Sequence, residues 1–205
     1  MPISMWEAVI AALEQKGVTF EKGLARDELA QTERVYGFLF PPDLREFLSR
    51  GLPVSDDFPN WRTGQIRRGL SIRSVAELLD WPALSMCFDI ENNAFWMRDW
   101  GPKPDDLQEA FEVARRMVKL APPLIPVFSH RFLPAEPSTE GNPVLSVYQT
   151  DIVYYGMNLA SYFANEFKFP PSEQPNEADS PPRIRFWSDI IHGIDGDFDA
   201  PRGGP

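Results

Sequence analysis

Residues 104–156 read PDDLQEAFEVARRMVKLAPPLIPVFSHRFLPAEPSTEGNPVLSVYQTDIVYYG, and this stretch decides the fold class. Apolar residues recur at helical spacing from Leu107 to Val118, with acidic residues before them and basic residues near their end, as the helix dipole favours. Two prolines, Pro122 and Pro123, end that pattern. Four short runs typical of β-strands follow, separated by turn residues. The runs are 124–128, 131–133, 144–148 and 152–155.

The segments on either side add helices. Apolar spacing predicts a first helix through Trp6 and Leu13, a second over 25–37, and a short one over 43–48 that closes at Gly51. Residues 52–61 resemble a loop, and residues 63–90 resemble short helices with weak boundaries. Asn158 is a suitable N-cap for a further helix. The aromatic and apolar content of residues 183–194 predicts a last strand or helix.

This order of elements predicts an α+β domain in which helices pack around a mainly antiparallel sheet. We expect one domain over residues 1–195. Residues 170–182 are rich in proline and acidic side chains, and they predict a mobile loop within that domain. Residues 196–205 predict a flexible tail.

The charge of the chain limits its partners. Twenty Lys and Arg residues against thirty Asp and Glu residues give a formal net charge of -10. A uniformly acidic surface is repelled by nucleic-acid phosphates and by anionic lipid, so neither is an expected partner. A basic protein is the better candidate.

Targeting and metal-binding signals are weak in this sequence. No run reaches the roughly 18 apolar residues of a membrane span, and the first residues lack a basic start and an apolar stretch. We therefore expect a cytoplasmic protein. The single cysteine, Cys87, excludes an internal disulfide and a multi-cysteine metal site. No cofactor is expected.

Reactive side chains for catalysis are few. The histidines are His130 and His192, and His130 follows Ser129. A Ser129–His130 pair lacks a nucleophile elbow, and neighbouring strand residues point to opposite faces. A Cys87–His130 pair would use a thiol in apolar surroundings, which raise its pKa. We therefore expect no enzyme, and a hydrolase that uses His130 ranks third among the hypotheses.

One acidic segment imitates a metal site. Residues 195–199 read DGDFD, like the start of a calcium loop, but Ala200 stands at the glycine position and the twelfth position falls beyond Pro205. The loop cannot be completed within this sequence. We interpret it as a solvated acidic tail.

Tryptophan and arginine are the side chains that most often anchor protein interfaces. Trp61 and Arg62 lie in a proline-rich loop and are expected to be the more exposed pair, whereas Trp96 is equally compatible with filling the core. Acidic residues could steer a basic partner, although a solvated rim fits them equally well. These acidic residues are Asp56, Asp57, Asp89 and Glu91. The candidate partner-binding residues are Trp61, Arg62, Trp96, Arg98, Trp100, His130 and Arg131.

Six segments in order resemble the SUKH superfamily, specifically its bacterial members similar to the yeast cell-wall-assembly regulator Smi/Knr. The first reads FLFPPDLREFL, ends before Gly51, and is followed by FPNWR. The set extends over most of the chain. The segments are 38–51, 58–62, 93–101, 123–131, 141–156 and 185–189.

The resemblance implies an α+β fold with one mixed sheet flanked by helices. It also implies a function, because many bacterial members are immunity proteins that bind and neutralise toxin domains, often nucleases. Fungal relatives resemble regulatory scaffolds, which is the alternative hypothesis, and neither use implies catalysis. The chain beyond residue 170 departs from a minimal member. Neither the toxin nor the stoichiometry nor the oligomeric state follows from the sequence.

Overall fold

The computed structural model describes residues 4–171 and 180–193. Within these ranges it contains seven α-helices and nine β-strands. The helices are α1 Met5–Gln15, α2 Arg26–Tyr36, α3 Pro42–Arg50, α4 Val75–Asn92, α5 Leu107–Leu120, α6 Leu159–Phe167 and α7 Trp187–His192. The strands are β1 Phe20–Lys22, β2 Gly51–Pro53, β3 Pro59–Asn60, β4 Gln65–Arg68, β5 Ser71–Ser74, β6 Leu124–Phe128, β7 Arg131–Pro134, β8 Val144–Tyr148 and β9 Asp151–Gly156.

The strands form three antiparallel sheets, and the predicted α+β class is confirmed. The largest sheet joins β6 to β9 in sequence order, as successive hairpins do. The smaller sheets are β1–β2 and β3–β4–β5. The strands are therefore divided among three sheets, whereas the family resemblance implies a single mixed one. Every strand pair in the described residues is antiparallel.

Strands β6, β7 and β8 of the four-stranded sheet are buried on both faces, whereas alternate residues of the edge strand β9 are exposed. Ile125 and Leu133 belong to one hydrophobic cluster, while Phe132 and Leu145 belong to the other. Alternate residues of a strand point to opposite faces, so one sheet supplies side chains to both clusters. This explains why β6, β7 and β8 appear as almost unbroken apolar runs in the sequence.

Helices cover the two faces. α1, α3 and α6 contribute side chains to the first cluster, and α1 contacts the other two. α4, α5 and α7 contribute side chains to the second cluster. The result is three layers, helices on each side of a central sheet. α7 contacts β9, so the segment predicted as a last strand or helix is a helix docked on the edge of that sheet.

Side-chain caps fix where several helices begin. Ser4 and Ser74 each accept a hydrogen bond from the backbone of a glutamate three residues later, and that glutamate accepts one in return. Asp106 caps α5 through the backbone N–H of Glu109. Asn158 caps α6 through Ser161, as predicted.

The prediction of short helices over 63–90 is wrong. Residues 65–74 form a hairpin whose outer strand, β5, is exposed at all four positions and so lacks an alternating apolar pattern. α4 then runs for 18 residues through Pro82. Proline removes one helical hydrogen bond and usually breaks a helix, so the sequence pattern indicated interruptions. The expected loop over 52–61 contains β2 and β3.

Several expectations lie outside the described residues. These are residues 172–179 of the acidic segment, the tail at 196–205 and the DGDFD segment at 195–199. For the helices that the structure does describe, none has both the length and the apolar character needed to cross a membrane.

Candidate functional site

The loop between α4 and α5 carries three of the predicted partner-binding residues. Phe95 and Met97 point into the second hydrophobic cluster, whereas Trp96 is partly buried and Arg98 is exposed. This alternation is that of an extended chain with one face on the core. A short 3-10 turn over Arg98–Trp100 then brings Trp100 back against the body.

The two tryptophans of this loop are held in a fixed geometry. Their ring centroids lie 5.2 Å apart in a T-shaped arrangement, and the Trp96 Nε1 donates a hydrogen bond of 2.7 Å to the Gly101 carbonyl. Trp100 also stacks on Phe186, from the segment before α7, at 6.4 Å. Both rings are partly exposed, so the loop presents a rigid aromatic surface to solvent.

Exposed carboxylates precede and follow these two tryptophans in the sequence. Between residues 91 and 112 the sequence has six acidic residues and two basic ones. All six acidic side chains are exposed, and none takes part in an ion pair among the residues that the structure describes. Of the two cations, Lys103 donates to the Ile90 carbonyl. We call Trp96, Arg98, Trp100, Glu91, Asp99, Asp105, Asp106, Glu109 and Glu112 the acidic aromatic surface.

The expectation that Trp61 is exposed is wrong. Only 4% of this residue is exposed, and its indole makes edge-on contacts with Tyr36, Phe38 and Phe40 at centroid distances of 5.1–5.9 Å. The chain around Trp61 is a turn, but the aromatic residues at the end of α2 and before α3 close over it. Trp61 therefore stabilises the first hydrophobic cluster and is not available to a partner.

Arg62 is occupied within the chain. Its guanidinium donates to the carboxylates of Glu21 and Glu28 at 2.8 Å and to the Lys22 carbonyl at 3.0 Å. The hydrogen bond from Arg62 is the largest cause of the lowered pKa of Glu28. These bonds tie the turn after β3 to β1 and to the start of α2. Arg62 is thus a structural tie in this conformation, not a free binding residue.

His130 lies in the turn between β6 and β7, beside the β4–β5 hairpin. The Ser129 Oγ lies 3.2 Å from the His130 Nδ1, so the argument that these neighbours point apart is wrong. The reason is that Ser129 has a positive φ of 50°, which turns its side chain toward the histidine. The same hydroxyl accepts a hydrogen bond of 2.9 Å from Arg68, which is paired with Asp57.

The electrostatics of His130 oppose a role as a strong base. Burial lowers the pKa of His130 below its ordinary value, and Arg131 and Arg68 lower it further, against opposite effects of Glu166 and Asp57. No carboxylate accepts a hydrogen bond from the imidazole within the described chain. A triad needs such a group to orient its histidine. The serine and histidine are adjacent, but the third member of the constellation is missing there.

Arg131, a predicted partner-binding residue, is buried and therefore not available to a partner in this conformation. Its guanidinium lies 3.7 Å from the centre of the Tyr155 ring and donates to the Ser146 Oγ at 3.0 Å. The Glu166 carboxylate is 3.9 Å from the Arg131 Nε, too far for a hydrogen bond. Arg131 joins β7 to β8 and β9 beneath the surface.

Asp89 and Cys87, both on α4, are buried. Asp89, expected to meet a basic partner, is 2% exposed and accepts hydrogen bonds from the Thr150 backbone N–H and hydroxyl at 2.7 and 2.6 Å. It fixes the β8–β9 turn to α4. Cys87 is also buried, and this burial raises the pKa of its thiol, as predicted.

A groove beside α4 and α5 was not predicted. It has a volume of about 670 Å³ and is lined largely by apolar side chains from four separate parts of the chain. One signal is Leu84, a lining residue that is exposed on α4. Exposed leucines are common, so this signal is weak without the tertiary structure. In the described ranges, no group of three His, Cys, Asp or Glu side chains is placed to hold a metal ion.

The predicted site residues thus fall into three groups of contacts. Trp96, Arg98 and Trp100 lie together in the loop between α4 and α5. Trp61 packs in the first hydrophobic cluster, and Arg62 ties the turn after β3 to β1 and α2. His130 lies in the turn between β6 and β7, and Arg131 is the first residue of β7. Comparison with family models, with curated proteins and with solved structures finds no match for this chain.

Proposed function

We propose that this chain is a non-catalytic, cytoplasmic protein-binding domain of the SUKH type, which neutralises a basic toxin domain by stoichiometric binding. The observation that carries the proposal is the acidic aromatic surface. It combines rigid, partly exposed tryptophans with carboxylates that have no cationic partner among the described residues. Nucleases are one class of basic toxin that fits such a surface.

The chemistry of this surface suits a basic protein. Tryptophan supplies a large contact area at low cost in conformational entropy, because its ring is already fixed by the neighbouring indole and by Gly101. Exposed carboxylates raise the association rate of a basic partner and repel acidic competitors. A toxin whose active site binds nucleic acid has a basic surface, so covering that surface would block its substrate.

The experiment is a titration of purified basic nuclease toxin domains with this protein, monitored by calorimetry and by nuclease activity. We expect inhibition to be complete at one equivalent of one toxin and to weaken as salt rises. The variant Trp100→Ala and the double variant Asp105→Lys with Glu109→Lys should each weaken binding by roughly tenfold or more.

Two controls make the result decisive. Asp27→Lys changes the charge of an exposed carboxylate on α2, away from this surface, and should leave the affinity almost unchanged. If the toxin is inactivated by far less than one equivalent, the protein acts by turnover and the proposal fails. It also fails if the acidic-surface variants bind as tightly as the unmodified protein.

A second candidate function, a regulatory scaffold, is favoured by one specific observation. The apolar groove lies at the C-terminal end of α5, whereas the acidic aromatic surface lies at its N-terminal end. The chain therefore offers a second surface of different chemistry. A scaffold would hold two partners at once. An activity assay separates the two functions, because stoichiometric loss of the first partner's nuclease activity is expected only for an immunity protein, whether or not a second partner binds in the groove.

A further inference from the structure

The groove between α4 and α5 has an apolar floor, and exposed apolar side chains lie along its rim. Its floor includes Trp187, which is 1% exposed and donates its Nε1 to the Pro122 carbonyl at 2.7 Å. The walls come from the end of α2, from α4, from the last turn of α5 and from the chain entering β6. The lining includes Phe38, Leu79, Leu84, Val118 and Leu124.

Exposed large apolar side chains border this lining. Leu84, on the α4 wall, is 51% exposed, and Phe88 lies one helical turn farther along α4 and is also exposed. Leu39 and Leu120 are each about three-fifths exposed and directly follow lining residues in the sequence. Apolar side chains concentrated at one groove, rather than scattered singly, indicate a surface that is covered in function.

The charges of the groove select the chemistry of the occupant. Arg115 and Lys119 lie one turn apart on α5, both line the groove, and both are exposed. Neither forms an ion pair with any residue that the structure describes, whereas one carboxylate, Asp80, lines the α4 side. An acidic group placed above α5 would meet two cations.

From this geometry we infer that the groove docks an amphipathic helix of a protein partner, with its apolar side on the floor and acidic residues facing Arg115 and Lys119. Most of the lining belongs to α4, α5 and the end of α2, and only Leu124 belongs to an edge strand, β6, so side chains supply most of the contacts. A small amphiphile would fill the cavity but leave the rim of aliphatic side chains uncovered. This site goes beyond the proposed function, because its charge is opposite to that of the acidic aromatic surface.

The test uses the full chain and two labelled model peptides about five helical turns long. Both have leucine and alanine on one face, and they differ in having glutamate or lysine on the other. Binding is measured by fluorescence anisotropy. The glutamate peptide should bind at least roughly tenfold more tightly than the lysine peptide, because two cations are involved. Hydrogen exchange should slow in residues 79–84 and 115–124 when the glutamate peptide is bound.

Variants locate the binding. The double variant Arg115→Glu with Lys119→Glu should reverse the preference between the two peptides, and Leu84→Asp should weaken both. The double variant Lys16→Glu with Arg26→Glu is the matched control, since it reverses two exposed cations that do not line the groove, and it should leave both affinities almost unchanged. Urea denaturation of each variant verifies that the fold is retained.

Four outcomes would overturn the inference. The first is equal affinity for the two peptides, and the second is no effect of the double reversal. The third is saturation of the groove by dodecanoate that the glutamate peptide cannot displace, which would make it a site for a small amphiphile. The fourth is self-association in the ultracentrifuge that Leu84→Asp abolishes, which would make a second copy the occupant. None of these outcomes affects the toxin titration.

Discussion

At its N-terminal end α5 joins a surface with two partly exposed tryptophans and many carboxylates, whereas its C-terminal end places two exposed cations beside an apolar groove. The charges alone follow the helix dipole, which favours acidic residues at the start and basic residues at the end. They would be expected on a helix without any binding function. The difference lies in their neighbours, which are rigid aromatic rings at one end and exposed aliphatic side chains at the other.

This comparison teaches that charge and apolar surface have to be considered together. The carboxylates lie within about a dozen residues of Trp96 and Trp100 in the chain, and the sequence predicted Trp96, Arg98, Trp100 and Glu91 of this surface. The groove combines residues from Tyr36 to Trp187, and no local pattern relates them. One surface is local in the chain, and the other exists only because distant segments pack together.

The largest effect is expected for the floor of the groove. Trp187→Ala should lower the free energy of unfolding by about 3–5 kcal/mol, because it removes a buried ring and leaves a cavity. Trp96→Ala, at the other end of α5, should cost only about 1–2 kcal/mol because its ring is partly exposed. Urea denaturation followed by circular dichroism measures both. Similar losses would mean that both tryptophans act alike as core residues.

A smaller effect is expected where α5 begins. Asp106→Ala should lower the free energy of unfolding by about 1 kcal/mol, because the Asp106 carboxylate caps the helix through the Glu109 N–H at 2.9 Å. Its neighbour Asp105 makes no such bond, so Asp105→Ala should change stability by less than about 0.5 kcal/mol. Urea titration of both variants tests this. A larger cost at Asp105 would assign that carboxylate to the fold rather than to binding.

The rim of the groove should hardly affect folding at all. Leu39→Ser and Leu120→Ser replace side chains that are 62% and 60% exposed, so each should change the free energy of unfolding by less than about 0.5 kcal/mol. Differential scanning calorimetry is sensitive enough to measure this. A loss above about 2 kcal/mol would show that these side chains pack within the protein and do not form a free rim.

The smallest effect on stability is expected from His130, in the turn between β6 and β7. This turn should take no part in binding if the two ends of α5 account for it. Because burial lowers the pKa of His130 below 6.5, the unfolded chain takes up this proton first as pH falls. The contribution of His130 to stability is therefore complete above about pH 6.5 and is lost as the pH drops toward its folded-state pKa. NMR titration of the imidazole measures that pKa directly. A value above 6.5 would contradict the prediction.

Replacing the same histidine tests whether the protein acts by binding or by catalysis. His130→Ala should leave inhibition of the toxin unchanged at one equivalent, because the imidazole lies outside the acidic aromatic surface. A panel of ester and peptide substrates should show no turnover by the unmodified protein. Turnover that this substitution abolishes would favour the hydrolase hypothesis instead.

The sequence by itself determined the α+β class, the amphipathic helix α5, the cap at Asn158 and all four strands of the main sheet. These features depend on spacing, capping and turn chemistry within a few residues, which are local properties. It also predicted the loop with Trp96, Arg98 and Trp100. Local patterns failed for the polar β4–β5 hairpin and for the helix through Pro82, where tertiary packing overrides local preference.

Only the tertiary structure decided which side chains are available. Trp61 and Trp96 are both candidate interface residues in the sequence, yet three aromatic rings contact the buried Trp61, whereas Trp96 is partly exposed. Arg62, Asp89 and Arg131 were each a plausible binding residue until their partners, 15 to 61 positions away in the chain, were known. Burial and pairing depend on such distant contacts, which the order of residues along the chain does not display.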